Sequence, residues 1–450
     1  AYVSSKVARG SVPPLDVPGL VARAPVAELE QLIRMPAELQ LSMSKVKEQA
    51  PELAATVGGL DVRIECPLVV AFVADRLADL EGRGWCRQCP EDGAEVLDLF
   101  LGMQLSEDFS NMPHLSLLRD APRRLMLPSP EVHNADWNQA ALREAHAAVL
   151  EAAPACRRIS LARFVQAYLL LLTRTFDRAG STRHCLVPVA DMMNHSFAPN
   201  AYWTFSEEGD FVVKAVKPVQ AGEELLISYG REKSNVRLYR TYGFTVPPAL
   251  EPCCSVRVWP SMAREAYRAY LPKAAWRTSL DLETGRVDAT TRFALEACVS
   301  RGTDPVAFLR AICRRFLARL EGDALLAAPL ARLRARRASS PTSAVWWAEA
   351  AAGEASEADG AEAADTADEA EEVGGAEVPG MDPPDPWLRR CAVRVKMSEY
   401  LCLAAHLEAL ELEEGARPEE ECLAASAPLR EHLSEVLRQL RPAGAHADTG

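Results

Sequence analysis

The spacing of apolar residues is helical through the second quarter of the chain. Residues 67–80, 137–153 and 160–176 carry apolar side chains three and four positions apart, which is typical of helices with one buried face. Pro67 suits a first helical position, and Ser160 suits the capping position that precedes a helix. The pattern therefore predicts three helices that pack into a core.

Strand patterns replace helical ones after Phe176. The apolar run 184–192 is typical of a buried strand, and residues 201–219 form two strand-like stretches around the turn residues 208–210. Another short strand is predicted at 223–230. Together these patterns predict a β-rich region that contains a hairpin. Helical patterning returns after this region and continues towards the end of the chain.

Charge is concentrated in one segment. The chain has 450 residues, 48% of them hydrophobic, and a formal net charge of −13. Residues 349–385 contain 13 Asp and Glu but no Lys or Arg, so the other residues sum to zero (50 basic and 63 − 13 acidic). The acidic segment has too few apolar residues to form a core, and we predict a disordered linker.

Composition argues against several classes of partner. No basic stripe predicts nucleic-acid binding, and no stretch of about 18 apolar residues predicts a membrane span. The 12 cysteines are scattered, as in an intracellular protein with reduced thiols. One Cys-x-x-Cys, Cys86 to Cys89, lacks the second pair that a zinc site needs, so we predict no bound metal.

Two groups of polar residues could carry chemistry. The run Asp191 to Ser196 follows a buried strand, and its polar groups must find partners. Taken alone, it also fits a capped turn, and His195 also fits a hydrogen-bonded structural histidine. Tyr229 and Tyr242 are each followed by glycine, which lets backbone and ligand approach closely, although a tyrosine at a strand end is commonly a packing residue.

The run from 194 to 244 resembles a known family. The stretch "NHSFAPNA" followed by a hairpin, "GEELLISYG" and "REKSNVRLYRTYGF" is similar to the C-terminal half of a SET domain. It resembles in particular the branch that contains the Rubisco large-subunit lysine methyltransferase and related non-histone methyltransferases. This resemblance implies an α+β protein, in which a β-rich SET fold is split by a helical insert and followed by a mostly α-helical C-terminal domain.

The resemblance also implies a domain order. We expect the two parts of the SET domain at 1–45 and 166–247, with the helical insert at 46–165 between them. A helical domain that resembles a substrate-binding domain then spans 248–348, an acidic disordered linker spans 349–386, and the helical domain continues over 387–450.

Site residues follow from the same resemblance. Asn194 and His195 would bind S-adenosylmethionine, and Tyr229 and Tyr242 would be the catalytic residues that line the methyl-transfer channel. Further cofactor-binding residues would be Asp16, Pro18, Arg174 and Asp191. Arg174 would contact the cofactor carboxylate, although an arginine at a helix C-terminus is equally explained by the helix dipole. Val17 replaces the first glycine of the family's Gly-x-Gly loop, and Gly19 keeps the second.

The implied activity is S-adenosylmethionine-dependent methylation of a lysine in a non-histone protein. Two alternatives stay open: a catalytically silent SET-like module that binds a protein, and a protein-histidine methyltransferase. We expect a protein substrate as the partner, no nucleic acid or membrane, a monomer, and an intracellular location in cytoplasm, nucleus or plastid.

Overall fold

The computed structural model describes most of the chain and divides into two compact units. One unit comprises residues 1–112 and 136–231, and the other comprises 113–135 and 232–450. The described residues are 1–11, 17–85, 96–105, 114–117, 120–177, 184–247, 250–284, 286–339, 386–413 and 426–440. The acidic segment 349–385, Asp16 and the Cys86–Cys89 pair lie outside them.

The described residues of the first unit form ten short strands. They are β1 (Tyr2–Val3), β2 (Val7–Gly10), β3 (Gly19–Ala22), β4 (Gln31–Met35), β5 (Thr175–Asp177), β6 (His184–Leu186), β7 (Asn194–His195), β8 (Ala201–Phe205), β9 (Phe211–Ala215) and β10 (Leu226–Ile227). The largest sheet has the order β1-β4-β9-β8, and the pairs β2-β3, β5-β6 and β7-β10 form small sheets beside it. The β-rich part of the sequence therefore folds into several small sheets.

The predicted hairpin is β8–β9, and its turn explains its register. Gly209 has φ +91°, a left-handed conformation that glycine adopts at little cost, and Ser206 N–H donates to the Asp210 carbonyl at 2.8 Å. Phe211 and Val213 then point into a core with Leu32 and Ile33 of β4. The hairpin matters for function because it connects β7 to β10.

The helices of the first unit pack around a second core. They are α1 (Met43–Gln49), α2 (Pro51–Val57), α3 (Pro67–Gly82), α4 (Val96–Leu105), α6 (Glu131–Ala152) from Asp136 onwards, and α7 (Leu161–Arg174). The predicted cap is confirmed, because Ser160 Oγ accepts from Arg163 N–H at 3.2 Å. The predicted helix at 137–153 begins earlier, at Glu131, where Ser129 Oγ accepts the Glu131 N–H at 3.0 Å.

The second unit is mainly helical. Its helices are α5 (Asp120–Met126), the start of α6, α8 (Asn235–Tyr242), α9 (Arg264–Tyr270), α10 (Ala289–Arg301), α11 (Pro305–Glu321), α12 (Ala327–Ser339), α13 (Pro386–Glu413) and α14 (Ser426–Leu440). Buried side chains of α10, α11, α13 and α14 form one core. The mostly helical character predicted for the C-terminal region is confirmed.

A small sheet in the second unit was not predicted. Within the region predicted to be mostly helical, β11 (Ser255–Val258), β12 (Leu280–Glu283) and β13 (Arg286–Val287) form an antiparallel sheet. Val256, Val258, Leu280 and Leu282 are all buried in the helical core. The sheet is therefore stabilised by the burial of alternate side chains. Strands this short show no clear alternating pattern in the sequence.

Candidate functional site

Two short strands bring the two polar motifs together. β7 and β10 pair in parallel, with Asn194 opposite Leu226 and His195 opposite Ile227. The pairing is extended by Ser196 N–H, which donates to the Ile227 carbonyl at 2.9 Å. The segment that contains Asn194 and His195 therefore runs alongside the segment that ends at Tyr229.

A third segment, the start of β3, lies along the same place. Leu225 N–H donates to the Leu20 carbonyl at 2.7 Å, and Ala22 N–H donates to the Glu223 carbonyl at 2.9 Å. These bonds position the Pro18–Gly19 loop next to Glu224. Three segments that are far apart in sequence thus meet at one edge of the first unit.

The side-chain amide of Asn194 has a defined orientation. Its Nδ2 donates to Glu224 Oε1 at 2.7 Å and to the Pro18 carbonyl at 3.3 Å. Both partners are acceptors, so the NH₂ group must face them, and the carbonyl oxygen Oδ1 faces away. Toward a ligand on that side, Asn194 acts as a hydrogen-bond acceptor.

Gly19 lies directly against two polar side chains that a Cβ would displace. A Cβ atom at this position would lie 2.5 Å from Glu224 Oε1 and 2.7 Å from Asn194 Nδ2. Any other residue would therefore push apart the hydrogen bond between those two side chains. The absence of a Cβ lets the loop backbone approach the polar pair closely.

Glu224 is a site residue that sequence reasoning did not single out. Its side chain accepts from Asn194, and its carbonyl accepts from Asn200 Nδ2 at 2.8 Å. Asn200 Oδ1 in turn accepts Leu226 N–H at 2.8 Å. The available signal was its place in the "GEEL" motif directly before β10.

His195 and Tyr229 are in direct contact. Tyr229 N–H donates to His195 Nδ1 at 3.0 Å, which places the ring proton of a neutral imidazole on Nε2. The two rings are stacked, with centroids 5.2 Å apart and an interplanar angle of 30°. Phe197 packs edge-on against the other side of His195 at 4.4 Å. The histidine thus orients the backbone of Tyr229.

The Tyr229 hydroxyl is oriented by the main chain. It donates its proton to the Met193 carbonyl at 2.7 Å. A hydroxyl that has committed its one proton can act only as an acceptor toward a further group. The oxygen is therefore suited to hold an N–H donor or a polarised C–H.

Arg174 and Asp191, which precede Asn194 in the sequence, form an ion pair. Arg174 Nη1 lies 3.2 Å from Asp191 Oδ2 and 3.4 Å from the Asp191 carbonyl, and the Asp191 side chain is 1% exposed. Val189, two positions before Asp191, has a φ angle of +72°. A left-handed conformation is strained for a β-branched residue, and such strain clusters at functional sites.

Tyr242 belongs to the second unit. It is the last residue of α8, which ends at Gly243 in a left-handed conformation with φ +79°. Lys233 Nζ lies 5.5 Å from the centre of the Tyr242 ring, and the Phe244 ring centre lies 6.0 Å away. Of the other predicted site residues, four lie together in the first unit, namely Pro18, Asn194, His195 and Tyr229. Arg174 and Asp191 pair with each other.

The described ranges contain neither a cluster of metal-ligating side chains nor a helix suited to a membrane. No group of three or more His, Cys, Asp or Glu side chains there could hold a metal ion. Likewise, none of the helices found in those ranges is both long and apolar enough to cross a membrane.

Known proteins resemble the chain in both sequence and fold. The aldolase-lysine N-methyltransferase of Arabidopsis thaliana chloroplasts is 36% identical over 96 residues, which are 19% of this chain and 20% of the relative. The Rubisco large subunit N-methyltransferase of Pisum sativum is 33% identical over 99 residues, 20% of each chain. The matched stretch thus spans about a fifth of these relatives.

Solved structures share the fold over a much longer stretch. The SET domain of LSMT bound to lysine and AdoHcy superposes with a TM-score of 0.55 at 15% identity, covering 100% of this chain and 94% of that one. Rubisco LSMT bound to AdoMet gives a TM-score of 0.55 at 14% identity with the same coverage. The family model described as "SET domain" matches residues 19–230. Residues 19–230, somewhat less than half of the chain, are therefore similar to a SET domain.

Proposed function

We propose that the chain is an S-adenosylmethionine-dependent protein-lysine N-methyltransferase that acts on a non-histone protein. The observation that carries the proposal is the meeting of Gly19, Asn194 and Tyr229 at the β7–β10 pair. One relative is a lysine N-methyltransferase of fructose-bisphosphate aldolase, and another is an N-methyltransferase of the Rubisco large subunit. Solved structures of the same fold were obtained with AdoMet, AdoHcy or lysine bound.

The donor and acceptor set suits the amino-acid portion of S-adenosylmethionine. Asn194 Oδ1 can accept from its ammonium group, and Arg174 can donate to its carboxylate. Gly19 lets the loop backbone beside Pro18 pack against the Asn194–Glu224 pair, which keeps Asn194 in this orientation. His195 and Asp191 complete the proposed cofactor-binding set, and Asp16 remains a proposed member outside the described residues.

The chemistry needs alignment more than a covalent intermediate. S-adenosylmethionine supplies a methyl group on a sulfonium, and the acceptor must be a neutral amine because an ammonium has no lone pair. Free lysine at its usual pKa is neutral in only about one part in a thousand at pH 7.4. Tyr229, held as an acceptor by the Met193 carbonyl, would orient the N–H of a neutral amine. Tyr242 is proposed as the second residue of the channel.

Substrate choice is proposed to reside in the helical regions. A channel for one side chain cannot identify a protein, whereas the helices of the second unit offer surface for recognition. Deleting residues 251–450 should therefore abolish methylation of a folded protein substrate. Circular dichroism of the truncated chain must show retained structure, and undiminished labelling by a folded truncation would place recognition in the SET domain.

The activity is tested by titration and by labelling. We expect calorimetry to show S-adenosylmethionine binding to the full chain, and tritiated S-adenosylmethionine to label a lysine of a host-cell protein identified by mass spectrometry. A labelled histidine would instead support the protein-histidine alternative. Absence of binding to folded protein would contradict the proposal and favour a silent binding module.

The role of Asn194 as an acceptor is tested through Glu224. Glu224→Gln presents an amide that can either accept or donate, so the Asn194 side chain is no longer held in one orientation. S-adenosylmethionine affinity should fall by about fivefold, because the loss of one oriented hydrogen bond costs on the order of 1 kcal/mol. Glu223→Gln is the matched control, since its exposed carboxylate accepts only from Gln220 N–H at 2.9 Å. Equal affinities in the two variants would remove Glu224 from the site.

A further inference from the structure

The helix that carries Tyr242 is attached to a buried ion pair. Arg240 Nε and Nη2 donate to Glu131 Oε2 and Oε1 at 3.0 and 2.5 Å. The Glu131 side chain is 0% exposed and that of Arg240 is 20% exposed. A bidentate contact of this kind fixes the plane of the guanidinium as well as its distance. Arg240 lies two positions before Tyr242 on α8.

Glu131 is itself held by the rest of the second unit. Asn134 Nδ2 donates to Glu131 Oε1 at 2.8 Å, and Asn134 Oδ1 accepts from Trp259 Nε1 at 2.9 Å. Ser129 Oγ donates to Glu399 Oε1 on α13 at 2.6 Å and accepts Glu131 N–H. The carboxylate that receives Arg240 is therefore anchored to the segment after β11 and to α13.

The residues on either side of Arg240 are also tied down. His114 Nδ1 accepts Ser116 N–H at 3.0 Å, so its Nε2 carries the proton and donates to the Thr241 carbonyl at 3.2 Å. Burial lowers the pKa of His114 to about 4, which keeps the ring neutral. Tyr239 is fully buried against Val132 and Val395. All three residues before Tyr242 thus have fixed partners.

Stability alone is a poor explanation for such a pair. Taking two charges out of water costs as much as their attraction returns, and well-packed apolar side chains often replace a buried ion pair without loss. A fixed orientation is what a bidentate pair supplies and an apolar pair does not. We therefore propose that Glu131 and Arg240 are positioning residues, which set the orientation of Tyr242 for methyl transfer.

This inference rests on the proposed function, in which Tyr242 lines the channel. It assigns a role to residues 114–134, which the sequence analysis placed inside the helical insert. These residues hold α8 in register with α13, so that the second unit determines where the Tyr242 side chain lies. A misplacement of about 1 Å at a reacting group can cost on the order of 100-fold in rate.

The test is Arg240→Lys, which keeps the charge and loses the fork. The matched control is Arg163→Lys in the first unit, where Arg163 makes the same bidentate contact with Glu81 at 2.8 and 2.6 Å. We expect Arg240→Lys to lower kcat about tenfold or more, with the KM for S-adenosylmethionine within about twofold. Arg163→Lys should change neither.

A second readout does not depend on activity. In protein labelled with 3-fluorotyrosine, the ¹⁹F resonance of Tyr242 is assigned by its loss in Tyr242→Phe. Arg240→Lys should shift or broaden this resonance and leave that of Tyr229 unchanged. Asn134→Ala removes one hydrogen bond to Glu131 but no charge, and it should produce a smaller shift or broadening of the Tyr242 resonance. This variant replaces Arg240→Lys if Arg240→Lys does not fold.

The outcomes separate the two proposals. An unchanged Tyr242 resonance in folded Arg240→Lys or Asn134→Ala overturns the positioning role. The role is also overturned if Arg240→Lys lowers kcat no more than Arg163→Lys does. A shifted Tyr242 resonance in a protein whose wild type transfers no methyl group would overturn the proposed function and leave the attachment of Tyr242 to Glu131 intact.

Discussion

The polar groups around Asn194 and those around Glu131 are satisfied in opposite ways. At the β7–β10 pair, the side chains of Asn194, His195 and Tyr229 are partly exposed and bond mainly to the main chain. Glu131 and Glu399 are fully buried, and their carboxylates bond mainly to other side chains. The first arrangement is partly exposed to solvent. The second is closed, and its charges make it sensitive to protonation.

The largest expected effect is a fall in the free energy of unfolding as the pH rises and buried carboxyl groups lose their protons. Burial raises the pKa of Glu399 to about 8 and that of Glu251 to about 7. A carboxyl whose folded pKa is raised contributes stability that is fully present below its unfolded pKa and lost as the pH rises through the folded value. Burial also lowers the pKa of His114, and that of His406 on α13, to about 4, which adds stability as the pH rises from 5 to about 6.5. The free energy of unfolding should therefore show a net fall of about 2–3 kcal/mol between about pH 5 and pH 8.5.

Urea unfolding at several pH values checks this expectation. Glu399→Gln mimics the neutral carboxyl and should flatten the decline, leaving the variant more stable than wild type above pH 8. Glu296→Gln, on the exposed face of α10, should follow the wild-type curve. A wild-type stability that rises from pH 5 to pH 8.5 would contradict the expectation.

Tyr229→Phe probes the open arrangement next. Loss of the hydroxyl removes the acceptor held by Met193, so turnover should fall by about 100-fold, the range found when one oriented polar group is removed from a reaction centre. Affinity for S-adenosylmethionine should stay within a factor of about two, since binding groups are retained. Tyr202→Phe, on the exposed side of β8, is the control. Wild-type turnover in Tyr229→Phe would exclude a catalytic role for Tyr229.

Gly19→Ala should affect binding more than folding. The new Cβ meets the ends of two side chains, Glu224 and Asn194, which can move aside at the expense of their hydrogen bond. We expect S-adenosylmethionine affinity to drop by about tenfold, while the free energy of unfolding changes by less than about 1 kcal/mol. Gly82→Ala, where a Cβ meets nothing within 4 Å, is the matched control. Wild-type affinity in Gly19→Ala would mean that S-adenosylmethionine binding does not depend on the Glu224–Asn194 hydrogen bond.

The smallest effect is expected from the acidic segment 349–385. Replacing it with a neutral linker of equal length should leave the S-adenosylmethionine dissociation constant unchanged, because its composition lacks the apolar residues that a folded core needs. Association with a basic partner could still slow at low salt, where acidic residues steer encounters. Calorimetry on the exchanged chain checks the first point, and loss of cofactor binding would show that the segment is structural.

The residues of the open arrangement were predictable because they lie in a continuous motif. Asn194, His195 and Tyr229 follow from "NHS" and "SYG", and the cap at Ser160 follows from local hydrogen bonding. Glu224 was not predicted as a contact of Asn194, since their meeting depends on the register of β7 against β10. The register of two strands is a property of the folded chain.

The closed arrangement left no comparable trace in the sequence. Glu131 and Arg240 are 109 positions apart, and each looks like an ordinary surface charge on a helix. Their burial depends on α6, α8 and α13 packing together in one unit. The sheet formed by β11, β12 and β13 was missed for a related reason, because its short strands are stable only against the helices that cover them.

The parallel pairing of β7 with β10 has a consequence for how the protein folds. Parallel neighbours cannot be joined by a tight turn, and here the connecting chain includes the whole β8–β9 hairpin. Closing that loop before the hairpin forms would cost considerable chain entropy. A formed hairpin brings residues 201 and 215 side by side, which shortens the loop between β7 and β10. The pair should therefore form late and slowly, as non-local contacts do. A nascent chain that ends before residue 226 lacks β10 and therefore cannot form this pair.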